Sequence, residues 1–225
     1  MSRIIVSRLK TMSSGVLFSL ASFIAASAYA HPNDPLSITE INKALSLSQP
    51  VSAKATAARS AKPALKAKEL LLVERHQQKN APKGQRLADV FTYDYGTDEL
   101  IESRVDLNTN EVISTTRKQY VQLPLTENEI NRAKQIIFDD ENERRILENE
   151  YQRITGRLFT TTDELNIKAF TFTRDSLPNR VNEASKLCGL QRCAQMMLYT
   201  GENIVFEVSP IVNLSKGVVT QRIGF

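Results

Sequence analysis

His31 and His76 are the only histidines in this chain, and Cys188 and Cys193 are its only cysteines. Cleavage of a leader before His31 would give that residue a free α-amine beside its imidazole, a bidentate copper chelate. A second imidazole from His76 would complete a histidine brace. Against this copper reading stands the simpler one, that both histidines are ordinary structural residues and no cofactor is bound. Cys188 and Cys193 enclose only Gly-Leu-Gln-Arg. An even cysteine count in an oxidising compartment points to a structural disulfide pinning the start of a strand near Ala194. Four intervening residues are too many for a thioredoxin-like pair, and a two-thiolate metal site would lack two further ligands.

Other chemistries find no residues to carry them. One internal histidine and no Gly-x-Ser-x-Gly leave no hydrolytic triad, and only eight glycines leave no phosphate-cradling loop. The acids and bases of 139–150, DDENERRILENE, are spaced as a solvated helical surface, although a carboxylate metal site is the sharper alternative. No catalytic residue is assigned.

The leader is legible at the start. Arg3, Arg8 and Lys10 precede an apolar stretch from Gly15 to Ala26, and Ala28-Tyr29-Ala30 is a small-residue cleavage pattern, so 1–30 reads as a signal peptide cut after Ala30. The apolar run is too short to span a bilayer, and no later stretch approaches the roughly 20 apolar residues a span needs. No cysteine for lipid attachment and no twin-arginine pattern accompany it. A periplasmic or secreted protein of 195 residues is expected once 30 of the 225 are removed. The net charge of +4 includes three leader cations and no leader acid, which leaves +1 for the mature chain. With no tryptophan and no basic stripe interleaved with aromatics, nucleic-acid binding has no support.

The elements that would position these groups come from an internal repeat. Pro35-Leu36-Ser37-Ile38-Thr39-Glu40-Ile41-Asn42-Lys43-Ala44 returns as Pro124-Leu125-Thr126-Glu127-Asn128-Glu129-Ile130-Asn131-Arg132-Ala133. In each copy a hydroxyl residue precedes a glutamate by three, the capping box that starts a helix. Val105-Asp106-Leu107-Asn108-Thr109-Asn110-Glu111-Val112 likewise returns as Val212-Asn213-Leu214-Ser215-Lys216-Gly217-Val218-Val219. Both are hairpins with Asn110 or Gly217 at a positive-φ tip. Strand-like spacing occupies 86–95 and 101–107 in the first copy, and 195–199 and 204–208 in the second. The second helix carries apolar residues from Ile130 to Tyr151, breaks near Asp139-Asp140 and ends at Gly156. The Ala/Lys-rich stretch 51–68 reads as a basic linker.

With the repeat in place, the chain resembles the paired N-terminal domains, N2 and N3, of copper amine oxidases. The resemblance rests on His31-Pro32-Asn33-Asp34-Pro35-Leu36, the hairpin after Val105-Asp106-Leu107, Leu123-Pro124-Leu125-Thr126-Glu127-Asn128-Glu129, and Pro210-Ile211-Val212-Asn213-Leu214. It implies an α+β fold of two tandem cystatin-like units, 31–120 and 121–225, each a helix on a curved antiparallel sheet. In that family these domains do no chemistry. The catalytic domain, with its Asn-Tyr-Asp/Glu quinone precursor and three copper histidines, would begin where this sequence stops, and neither feature occurs here. The expectation is a non-catalytic binding or assembly module with a protein partner or a second copy of itself. A small copper-binding protein and an accessory chain of a separately encoded amine oxidase are the alternatives.

Overall fold

A computed structural model describes residues 34–48, 68–77, 84–177 and 179–224. The leader, Ala30, His31 and linker residues 51–67 lie outside the described residues. Pro32–Phe225 falls within one compact unit.

The chain is α+β and each half repeats the other. Helix α1 (Ile38–Ser48) precedes strands β1 (Lys68–Arg75), β2 (Leu87–Asp94), β3 (Glu99–Asp106) and β4 (Glu111–Lys118). Helices α2 (Glu127–Asp139) and α3 (Glu141–Thr155) precede β5 (Leu165–Thr171), β6 (Cys193–Thr200), β7 (Val208–Asn213) and β8 (Val218–Gly224). Both sheets are four-stranded antiparallel meanders in sequence order.

Both capping boxes form. Ser37 N–H donates to Glu40 Oε2 at 2.8 Å while Glu40 N–H donates to Ser37 Oγ at 3.3 Å. Thr126 and Glu129 exchange the same pair of bonds at 2.9 and 3.1 Å. The second helix breaks at Asp140, whose side chain caps α3, and stops at Gly156 with φ 69°. The hairpin tips Asn110 and Gly217 hold φ 65° and 69°, and both hairpins carry a bulge at the same place, Ile113 in β4 and Thr220 in β8.

Three details depart from the sequence expectation. Lys68 opens β1 instead of closing the linker. Residues 204–207 pair with β6 only through the Tyr199–Val205 bridge, with Phe206 in the core; β7 begins at Val208. Strands β1 and β5 form where the pattern shows none.

The larger core joins the halves. Tyr93 and Tyr95, from the end of β2, pack with Ala133, Ile137, Leu147, Tyr151, Met196 and Leu198 of the second half. A smaller core under α1 holds Ala44, Ala88, Val90, Val105 and Leu107. A third cluster of Phe172, Cys188, Cys193, Ile211 and Ile223 lies between sheet two and the long β5–β6 connection.

Candidate functional site

The strongest polar constellations are two equivalent clasps. Arg86, just before β2, bonds Glu40 through Nε at 2.7 Å and Nη2 at 3.0 Å, and donates to the carbonyls of Asp34 and Pro35. Arg192, just before β6, bonds Glu129 through Nε at 2.7 Å and Nη2 at 2.8 Å, and donates to the carbonyls of Leu123 and Pro124. Each arginine fork fastens a helix start to a strand start. In the second clasp both side chains are completely buried, and Tyr95 donates to Glu129 Oε1 at 2.5 Å.

The electrostatics follow this geometry. The Arg86 hydrogen bonds hold the Glu40 carboxyl down to about 2. Burial alone pushes the Glu129 carboxyl up, but Arg192, the Tyr95 hydroxyl and the Thr126 N–H outweigh it and the net direction is down. Burial pushes the Tyr93 and Tyr95 hydroxyls well up. These groups are charged or neutral as structure requires, and their partners are saturated. They tie each helix start to the strand that follows it.

Both arginines escape the sequence reading. The available signal was the repeat itself: about 20 residues upstream of Val105 and of Val212 stands an arginine, Arg86 and Arg192.

Cys188 and Cys193 form a disulfide with Cα atoms 5.5 Å apart. Its loop does more than open β6. Arg192 lies inside it, the Gly189 carbonyl accepts from Gln122 Nε2 at 2.8 Å, and the Leu190 carbonyl accepts from the Tyr93 hydroxyl at 3.3 Å. The closed loop therefore touches the first half, the connecting segment and the second helix start.

His76 sits against Asp89, Nδ1 to Oδ2 at 2.6 Å, and Arg104 Nε donates to the other Asp89 oxygen at 2.9 Å. His31, the other member of the proposed ligand pair, lies outside the described residues. Among the described residues no three of His, Cys, Asp and Glu gather as a metal site requires.

Two surface features remain. A cleft of about 170 Å³ beside the disulfide is lined by Tyr120, Arg174, Lys186 and Leu187, among others, and its cations are paired with Asp175 and Glu183. The other is strand β4, at the end of its sheet order, with all eight residues exposed, Val112 and Ile113 included. Its repeat equivalent β8 is only partly exposed at 219–221, because the β5–β6 connection lies along it.

No protein-family model and no curated protein sequence matches the chain. Among solved structures it is similar to a copper-containing benzylamine oxidase from Hansenula polymorpha, with a TM-score of 0.53, 12% identity, and 87% of this chain covered. The chain spans only 30% of that oxidase's length. At that identity the likeness is one of fold: two α+β units of this chain find a counterpart within part of a copper amine oxidase.

Proposed function

We propose that this chain is an exported, non-catalytic binding and assembly module that takes up another polypeptide along β4, related to the N-terminal domains of copper amine oxidases. The observation that carries the reading is the bare β4 edge. A strand with one neighbour presents unpaired backbone N–H and C=O groups; β4 is blunted by its bulge, Arg117 and Lys118, yet keeps Val112 and Ile113 exposed. A segment bound along the edge would satisfy some of those groups and take its specificity from side-chain contacts. The fold likeness supports a module that works beside other protein, and the buried disulfide suits an oxidising compartment. Among the described residues no helix is long and apolar enough to cross a membrane.

The test is selection of peptides from a random displayed library on the immobilised processed chain, with Ile113→Lys as counter-selection. Ligands that bind the parent and lose binding to the variant support the reading. Ligands indifferent to Ile113→Lys, or none, count against it.

A second reading keeps copper. The Asp89 contact to His76 Nδ1 is the second-shell pattern that orients a metal-ligating imidazole. Tight one-to-one Cu(II) binding with nitrogen hyperfine structure, lost in His31→Ala and in His76→Ala, would favour it. Weak binding insensitive to both variants would end it.

A further inference from the structure

The two halves differ at one equivalent place, and the difference describes a partner. The bulges align Ile113 with Thr220 and Ser114 with Gln221. Over β8, Asn182 Nδ2 donates to the Thr220 carbonyl at 2.8 Å and Asn182 N–H to Gln221 Oε1 at 2.9 Å. Ser185 Oγ bonds Thr220 Oγ1 at 2.8 Å, and Gln221 Nε2 donates to the Arg180 carbonyl at 2.7 Å. The segment Arg180–Ser185 thus covers the bulge of that edge in cis. It comes from the connection between β5 and β6, residues 172–192, whereas the matching β1–β2 connection is residues 76–86. That connection is ten residues shorter.

We propose that β4 receives in trans, from a different polypeptide, a short segment seated as Arg180–Ser185 is seated on β8. This rests on the edge reading above and specifies its ligand. The bulge carbonyl, at Ile113 here, calls for the same carboxamide donor that Asn182 supplies. Where Thr220 offers a hydroxyl to Ser185, β4 presents the half-exposed Ile113 beside Val112. The matching residue, three positions after the carboxamide, is therefore apolar. The chain's own stretch 51–67 does not suit the site, because it contains no asparagine or glutamine to supply the carboxamide. A second copy pairing through its own β4 meets the Ile113 bulge, which interrupts a regular ladder.

The probes are synthetic peptides of residues 179–187: the native sequence, the same with Ser185→Leu, and the same with Ser185→Leu and Asn182→Ala. Each is titrated into the isotope-labelled processed chain and followed by amide chemical shifts. Burying the leucine against Ile113 should tighten binding about five-fold over the native peptide. Removing the carboxamide should weaken it by a similar factor. Shifts should concentrate in β4 and vanish in Ile113→Lys, whose unchanged melting curve would show that the fold survives. Equal affinity for all three peptides, no binding, or shifts confined to β8 would overturn the inference. So would β4 shifts that depend on protein concentration alone, which would make the occupant a second copy. If library-selected peptides bind β4 without the carboxamide-to-apolar spacing, this inference fails and the edge reading stands. If nothing binds β4 in either experiment, both fail.

Discussion

Replacing Arg192 with Met removes a guanidinium and keeps most of the apolar stem. The side chains of Arg192 and Glu129 are both 0% exposed, so water cannot replace the lost partner. Glu129 would keep only the Tyr95 hydroxyl and the Thr126 N–H, while the Leu123 and Pro124 carbonyls would lose a donor. Stranding one charge of a buried pair costs about 3–5 kcal/mol. Arg86→Met should cost roughly half as much, because the Glu40 side chain is 20% exposed and can be partly rehydrated. The double variant Arg192→Met with Glu129→Leu leaves no buried charge. It should recover most of the loss except about 1 kcal/mol for the lost capping box. Urea unfolding at pH 7 with a constant m-value reads all four proteins. The reasoning is refuted if Arg192→Met is no more damaging than Arg86→Met, or if the double variant is no more stable than the single.

Acid should weaken the fold through Glu40. Its carboxyl is depressed to about 2 by Arg86, so its stabilisation is complete above about pH 4.5 and is lost as pH falls toward 2. Arg86→Met should flatten that part of a stability–pH curve. Glu143 runs the other way, because burial raises its carboxyl and Oε2 has no hydrogen-bond partner. Its destabilising effect appears as pH rises above about 4.5, so Glu143→Gln should raise the melting temperature at pH 7 and change it little at pH 4. Replacing both cysteines with serine should cost about 2 kcal/mol by loop-closure entropy. Combined with Arg192→Met it should be less than additive, since Arg192 sits in the closed loop; strict additivity would mean the loop does not hold the clasp.

What could be read from the sequence was local. The capping boxes, the break at Asp140, the Gly156 stop and the hairpin tips each depend on residues within a few positions, and all are found in the structure. The clasps join residues 46 and 63 apart, a separation at which spacing carries no signal until the repeat is extended upstream. Strand β1 alternates exposed and half-buried residues, but Leu70 and Leu72 lie on its exposed side, so KELLLVER shows no hydrophobic alternation. At 204–207 the apolar run reaches only one bridge to β6, with Phe206 buried in the core, and the strand starts at Val208. The bare edge was not legible in the sequence. That β4 lacks a cover which β8 possesses depends on where residues 180–185 fold back, and that is a tertiary fact.

The most direct measurement is amide hydrogen exchange of the processed chain, free and with a library-selected peptide. The account predicts that the outward amides of β4 exchange quickly in the free protein. Peptide should then slow exchange in β4 and leave β8 unchanged. Protection of β4 in the free monomer, or peptide protection located elsewhere, would contradict it.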